Sequence, residues 1–127
     1  MLSIAERTLE KEIEMSSRNM RINPDIADAI RYYGTYIKSS DWINRSGVIS
    51  LSINPKGINS VKDAWNNLEK ERAWGAIYAA HYRDSKWRNT SVMKKQFYCH
   101  ARLFYSSFKQ PWNLEPHKTS IDPIRCN

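Results

Sequence analysis

At 127 residues, 41% of them hydrophobic and with five Trp and seven Tyr, the chain is long enough for one domain with a real core and too aromatic for wholesale disorder. No apolar run approaches the roughly 18 residues of a membrane span. The formal net charge of +7 is unevenly placed: residues 1–40 carry six basic and six acidic side chains, whereas residues 41–127 carry 14 basic and 7 acidic. Residues 83–109 alone hold seven Lys/Arg against the single Asp84. A field concentrated in this way favours a polyanionic partner, be it nucleic acid, anionic lipid or an acidic protein.

In chain order, residues 3–20 read as an amphipathic helix with Ile4, Leu9 and Ile13 on one side and Glu6, Glu10 and Glu14 toward solvent. Its opening, Met1-Leu2-Ser3-Ile4-Ala5-Glu6-Arg7, has early charges and no apolar h-region, so it does not read as a signal peptide. Asn23-Pro24-Asp25 predicts a second helix, running to about Lys38, with Ile26, Ala29, Ile30, Tyr33 and Ile37 on its buried face. Ser39-Ser40-Asp41 reads as its break. The expected division is therefore a charge-neutral helical segment, residues 1–40, serving delivery or as an adaptor, and a basic effector domain, residues 41–127.

Residues 42–53 read as a β-hairpin turning at Ser46-Gly47, with Ile49, Leu51 and Ile53 buried and Ser50 and Ser52 wet. Ser60 and Asp63 form a predicted capping box for a helix with Val61, Ala64, Trp65 and Leu68 on its core stripe, bending at Gly75 and continuing to about Trp87. Asn89-Thr90-Ser91 starts a further helix to about Phe108, whose core stripe is Met93, Phe97, Ala101, Phe104 and Phe108. Cys99 lies off that stripe, beside Lys95 and Arg102, where a returning tail could reach it. Trp112-Asn113-Leu114-Glu115-Pro116 reads as extended, with Trp112 and Leu114 on one side and Asn113 and Glu115 on the other. The proline-rich tail needs a pin, and Cys126 is the obvious one, although two cysteines by themselves fit free thiols equally well. The expected fold is α+β, mainly helical, with a small antiparallel β-sheet or hairpin and one disulfide.

The series Arg45-Ser46-Gly47-Val48, Gln96-x-x-Cys99-His100, Trp112-Asn113-Leu114-Glu115-Pro116 and Cys126-Asn127 resembles a domain of unknown function common in secreted and lipoprotein-type proteins of actinobacteria. The resemblance covers residues 42–127. It departs at His117-Lys118, where the family pattern has Trp-Arg, and over residues 71–89, which form a longer and more basic insertion. The resemblance implies export, an oxidising compartment and hence a Cys99–Cys126 bridge. With no signal peptide of its own, an exported domain of this kind is expected to be the end of a larger secreted protein.

Four residues carry the candidate chemistry. His100 can serve as a general acid or base, and if Glu115, Lys109 and Asn113 face the same cleft, the set suits phosphodiester transfer. A carboxylate or imidazole would take the 2′-hydroxyl proton, an imidazole would protonate the leaving oxygen, and a lysine would stabilise the phosphorane. Neither metal nor cofactor is expected. The alternative is structural: His100 bonding the tail, and Glu115 paired with Arg45, Arg102 or Lys109. Arg83, Lys86, Trp87, Arg88, Lys94, Lys95 and Arg102 form the expected substrate surface, where rings among cations suit single-stranded RNA or DNA. His81 is a lesser catalytic candidate beside it. Three classes follow: a secreted toxin domain delivered into target bacterial cells, acting as a metal-independent ribonuclease and restrained by an acidic immunity protein; a toxin acting on anionic membrane through its aromatic helices; and a non-enzymatic secreted binding domain.

Overall fold

The computed structural model describes residues 24–102 and 109–127. The expected helix over residues 3–20 and the core positions Phe104 and Phe108 lie outside them. Helix α1 (Pro24–Tyr36) starts at the proline, as its fixed φ and missing N–H favour. Its end is closed by Lys56, whose backbone N–H bonds the Tyr36 carbonyl (2.8 Å) and whose ammonium bonds the Gly34 carbonyl (2.8 Å).

Strand β1 (Ile37–Arg45) follows without a loop and pairs antiparallel with β2 (Val48–Pro55). The hairpin is thus longer at its open end than the sequence suggests. Ser39-Ser40-Asp41 is strand, not a break, because β2 supplies partners: Asn54 Nδ2 donates to Ser39 Oγ (3.0 Å), and a register shift between Ile37 and Ser39 absorbs the entry. The turn is as expected. Ser46 (φ 54°) and Gly47 (φ 86°) are both left-handed, the conformation a two-residue hairpin needs, and Asn44 Oδ1 accepts the Gly47 N–H.

The Ser60/Asp63 box caps only a 3₁₀ turn (Val61–Asp63), with Asp63 Oδ2 accepting the N–H of both Asn59 and Ser60. Helix α2 (Asn67–His81) starts later, on a second box in which Asn66 and Glu69 exchange bonds of 2.8 and 2.9 Å. The irregular residues between the two boxes let Trp65 enter the core and leave Leu68 exposed. Helix α2 is continuous through Gly75 and stops at His81, short of Trp87.

Helix α3 (Thr90–Arg102) buries Met93, Phe97 and Ala101 as expected. The tail then adds strand β3 (Trp112–Leu114) antiparallel to β2, in the order β1-β2-β3. Trp112 and Leu114 are fully buried, facing the helices with Leu51 and Ile53. Trp65 meets Trp112 edge-on at 5.4 Å and Phe97 at 6.2 Å. Ser50 and Ser52 are buried as well, contrary to the expected wet face. Their strand is central, and longer neighbours on both sides, such as Asp41 and Asn113 opposite Ser52, shield the short side chains.

The architecture is α+β with a Cys99–Cys126 disulfide, S–S 2.05 Å and Cα–Cα 5.5 Å. Closing a loop of this length is worth about 3–4 kcal/mol.

Candidate functional site

The tail places Glu115 beside α3. Buried Gln96 accepts the Glu115 backbone N–H (2.6 Å), donates to Glu115 Oε1 (3.1 Å) and reaches the Cys126 carbonyl (3.4 Å). The same carboxylate lies 3.6 Å from Lys118 Nζ and 3.9 Å from His117 Nε2. Two of its ion-pair partners among the described residues, His117 and Lys118, are thus local in sequence.

His100 stacks on Trp112, centroids 5.9 Å apart and planes 7° from parallel. Burial pushes its pKa down to about 4, with the Glu115 carboxylate pulling partly the other way. At neutral pH it is an uncharged ring within the field of Glu115, well below the range useful to a general acid. Asn113 points to the sheet face opposite Trp112, so it does not join the His100 cleft. Lys109 is exposed. Of the four predicted catalytic residues, the structure brings His100 and Glu115 into each other's field and leaves Asn113 apart.

The predicted substrate surface divides. Trp87 is not a free stacking ring: it packs on Trp74 (5.8 Å) and edge-on to Tyr78 (5.6 Å), with its N–H on Thr90 Oγ1. Arg83 lies over the Tyr82 ring and bonds its hydroxyl, and Lys94 lies over Tyr98. Lys95 and Arg102 border a groove of about 410 Å³ along Cys99 and the tail residues Thr119 and Pro123. Lys86 and Arg88 border another, of about 550 Å³, between the hairpin tip at Gly47 and Val48 and the tail at Pro116 and His117. Asn89 (φ 55°) holds that tail by donating from Nδ2 to the carbonyls of Pro116 and Lys118. His117, half-exposed, lines that groove with Lys86 and Arg88, and its sequence signal was the departure from the Trp-Arg pair that the resemblance led one to expect.

A second constellation spans three elements. Ser40 Oγ of β1 lies 2.6 Å from His81 Nε2 at the end of α2, and His81 Nδ1 lies 2.8 Å from Asp84 Oδ2 in the following turn. Tyr33 of α1 puts its hydroxyl 2.6 Å from Ser40 Oγ, and Trp42 Nε1 donates to Asp84 Oδ2 at 2.8 Å. The Trp42 bond holds the Asp84 carboxyl below the usual carboxylate range, against burial and together with His81. A carboxylate can only accept, so the imidazole tautomer that fits Asp84 carries its proton on Nδ1 and accepts from Ser40 at Nε2. Tyr33 then donates to Ser40. Only the i,i+3 spacing of His81 and Asp84 hinted at this in the sequence; Ser40 stood in a supposed break and Tyr33 on a supposed core face.

Among the described residues no group of three or more His, Cys, Asp or Glu could hold a metal ion, and no helix is long and apolar enough to cross a membrane. A family of proteins of unknown function, DUF2599, matches residues 37–126, from the first residue of β1 to the bridged Cys126. No curated protein and no solved structure matches the chain.

Proposed function

The chain belongs to the DUF2599 family, and from that premise we propose that it is an exported antibacterial toxin domain, contact-dependent or bacteriocin-like, that cleaves RNA without a metal. An acidic immunity protein would restrain it in the producing cell. The observation that carries this reading is the groove where Lys86 and Arg88 face His117, with Glu115 3.9 Å behind the imidazole. In that groove Lys86 and Arg88 hold the phosphate, and His117, backed by Glu115, takes the 2′-hydroxyl proton and returns it to the leaving oxygen. His117 takes over the part first sought in His100, whose burial keeps it neutral. The disulfide suits a domain that passes through an oxidising compartment before delivery into a target bacterium.

The bonds that tie Glu115 to Gln96 and Lys118 favour a second reading, a non-enzymatic secreted binding domain that uses the same basic groove for a polyanion. The membrane-acting alternative draws less support, since among the described residues Trp74, Tyr78 and Phe97 of α2 and α3 are interior and Tyr98 is partly buried. Inducible expression in a bacterium, followed by RNA gels, tests the proposal. Growth arrest with fragmented RNA, lost in His117→Ala, is the expected result. Unchanged growth sinks the toxin reading, and arrest with intact RNA sinks the ribonuclease.

A further inference from the structure

We propose that Ser40, His81 and Asp84 form a nucleophilic acyl-transfer site, with the groove between α1 and α2 seating an apolar acyl chain. The proposal is independent of the ribonuclease reading. Its first support is the hydrogen-bonded series itself: Ser40 to His81 at 2.6 Å and His81 to Asp84 at 2.8 Å, in the order nucleophile, base and orienting carboxylate. The second is its polarity. Asp84 Oδ2 accepts from Trp42 and can accept from His81 Nδ1 as well, and the tautomer that uses this acceptor has Nε2 as the base. In that tautomer Ser40 donates to the group that would remove its proton. The three side chains are partly exposed, with 13% of His81 and 40% of Asp84 open to solvent.

The third support is what lies beside the serine. Tyr33, whose hydroxyl touches Ser40, also borders a groove of about 360 Å³ walled by Ile26, Ala29 and Ile30 of α1 and Ala76, Ala79 and Ala80 of α2. The small alanines of α2 leave room for a chain, and the walls are almost wholly apolar. A hydrophobic chain in the groove and a carbonyl at Ser40 are therefore neighbouring positions on one ligand, an ester of an apolar carboxylic acid.

In the reaction, Ser40 Oγ bonds to the ester carbonyl carbon while its proton moves to His81 Nε2. The tetrahedral adduct collapses, the carbon–alkoxide bond breaks, and the leaving alcohol takes the proton from His81. Water then gives a proton to His81 and its oxygen to the acyl carbon; Ser40 leaves with that proton, and the free acid is released.

The test uses the full 127-residue chain with its disulfide intact. A fluorophosphonate probe is expected to label Ser40, located by peptide mass spectrometry, and p-nitrophenyl octanoate to be hydrolysed faster than the acetate. Ser40→Ala should abolish both signals, and His81→Gln should slow hydrolysis at least about a hundredfold. Ala79→Phe, which fills the groove, should slow the octanoate and spare the acetate. Absence of label on Ser40 in the folded wild-type protein overturns the proposal, as does hydrolysis that survives Ser40→Ala. Equal slowing of both esters by Ala79→Phe overturns the assignment of the groove. The wild-type labelling result stands even if a variant fails to fold.

Discussion

Gln96 and Glu115 exchange two hydrogen bonds, one to the backbone N–H and one to the carboxylate, across the gap between α3 and the tail. A fully buried amide thus does the positioning that the disulfide completes eleven residues further on, at Cys126. Gln96→Leu would leave the Glu115 N–H and a carbonyl at Cys126 without this partner. A loss of about 2–3 kcal/mol is expected from urea unfolding, with the bridge still formed by mass analysis under non-reducing conditions.

His100 makes stability depend on pH. Its folded pKa of about 4 is below the ordinary 6.5, so the unfolded chain binds the proton more readily. Its contribution is present above about pH 6.5, falls as pH drops toward 4, and is lost below that. The shift corresponds to about 2–3 kcal/mol once partial exposure is allowed for. Melts recorded across this window should show the decline, and His100→Phe, which retains a ring against Trp112, should flatten it.

The two capping boxes are not equivalent. Asn66→Ala removes the acceptor that starts a 15-residue helix and should cost about 1 kcal/mol. Ser60→Ala touches only the start of a three-residue turn and keeps the backbone N–H that Asp63 accepts, and should cost a few tenths of that. Chemical denaturation of the two variants gives the comparison.

Polyanion binding at the Lys86–Arg88 groove would be salt-dependent. Replacing both residues with alanine should weaken binding of single-stranded RNA and lower the slope of log affinity against log salt by about 1.4, roughly 0.7 for each phosphate contact on a single strand. Lys95→Ala in the other groove should leave that slope nearly unchanged. Equal effects from both grooves would show that the charge acts diffusely.

Local rules were readable wherever a residue's own chemistry decides the conformation. Ser46-Gly47 adopts left-handed angles, Pro24 opens a helix, and the four-residue spacing of Met93, Phe97 and Ala101 buries one stripe. The alternation of Trp112 and Leu114 against Asn113 likewise followed from the period of an extended chain. Cys99 and Cys126 were paired through family resemblance, with a stripe position that left the link possible.

What a third element decides was not readable. Residues 39–41 are polar and look like a break until β2 supplies partners, and Ser50 and Ser52 look wet until β3 makes their strand central. Trp87 looks like a free platform until Trp74 and Tyr78 pack against it. The joining of Tyr33, Ser40, Trp42, His81 and Asp84 is the extreme case. The turn chemistry, the helix stripe and the tail's alternation belong to the sequence alone, because they depend on neighbours within a few residues. The order Tyr33–Ser40–His81–Asp84 exists only in three dimensions, because Ser40 and His81 lie 41 residues apart and only the packing of α1, β1 and α2 brings their polar atoms within 2.6 Å.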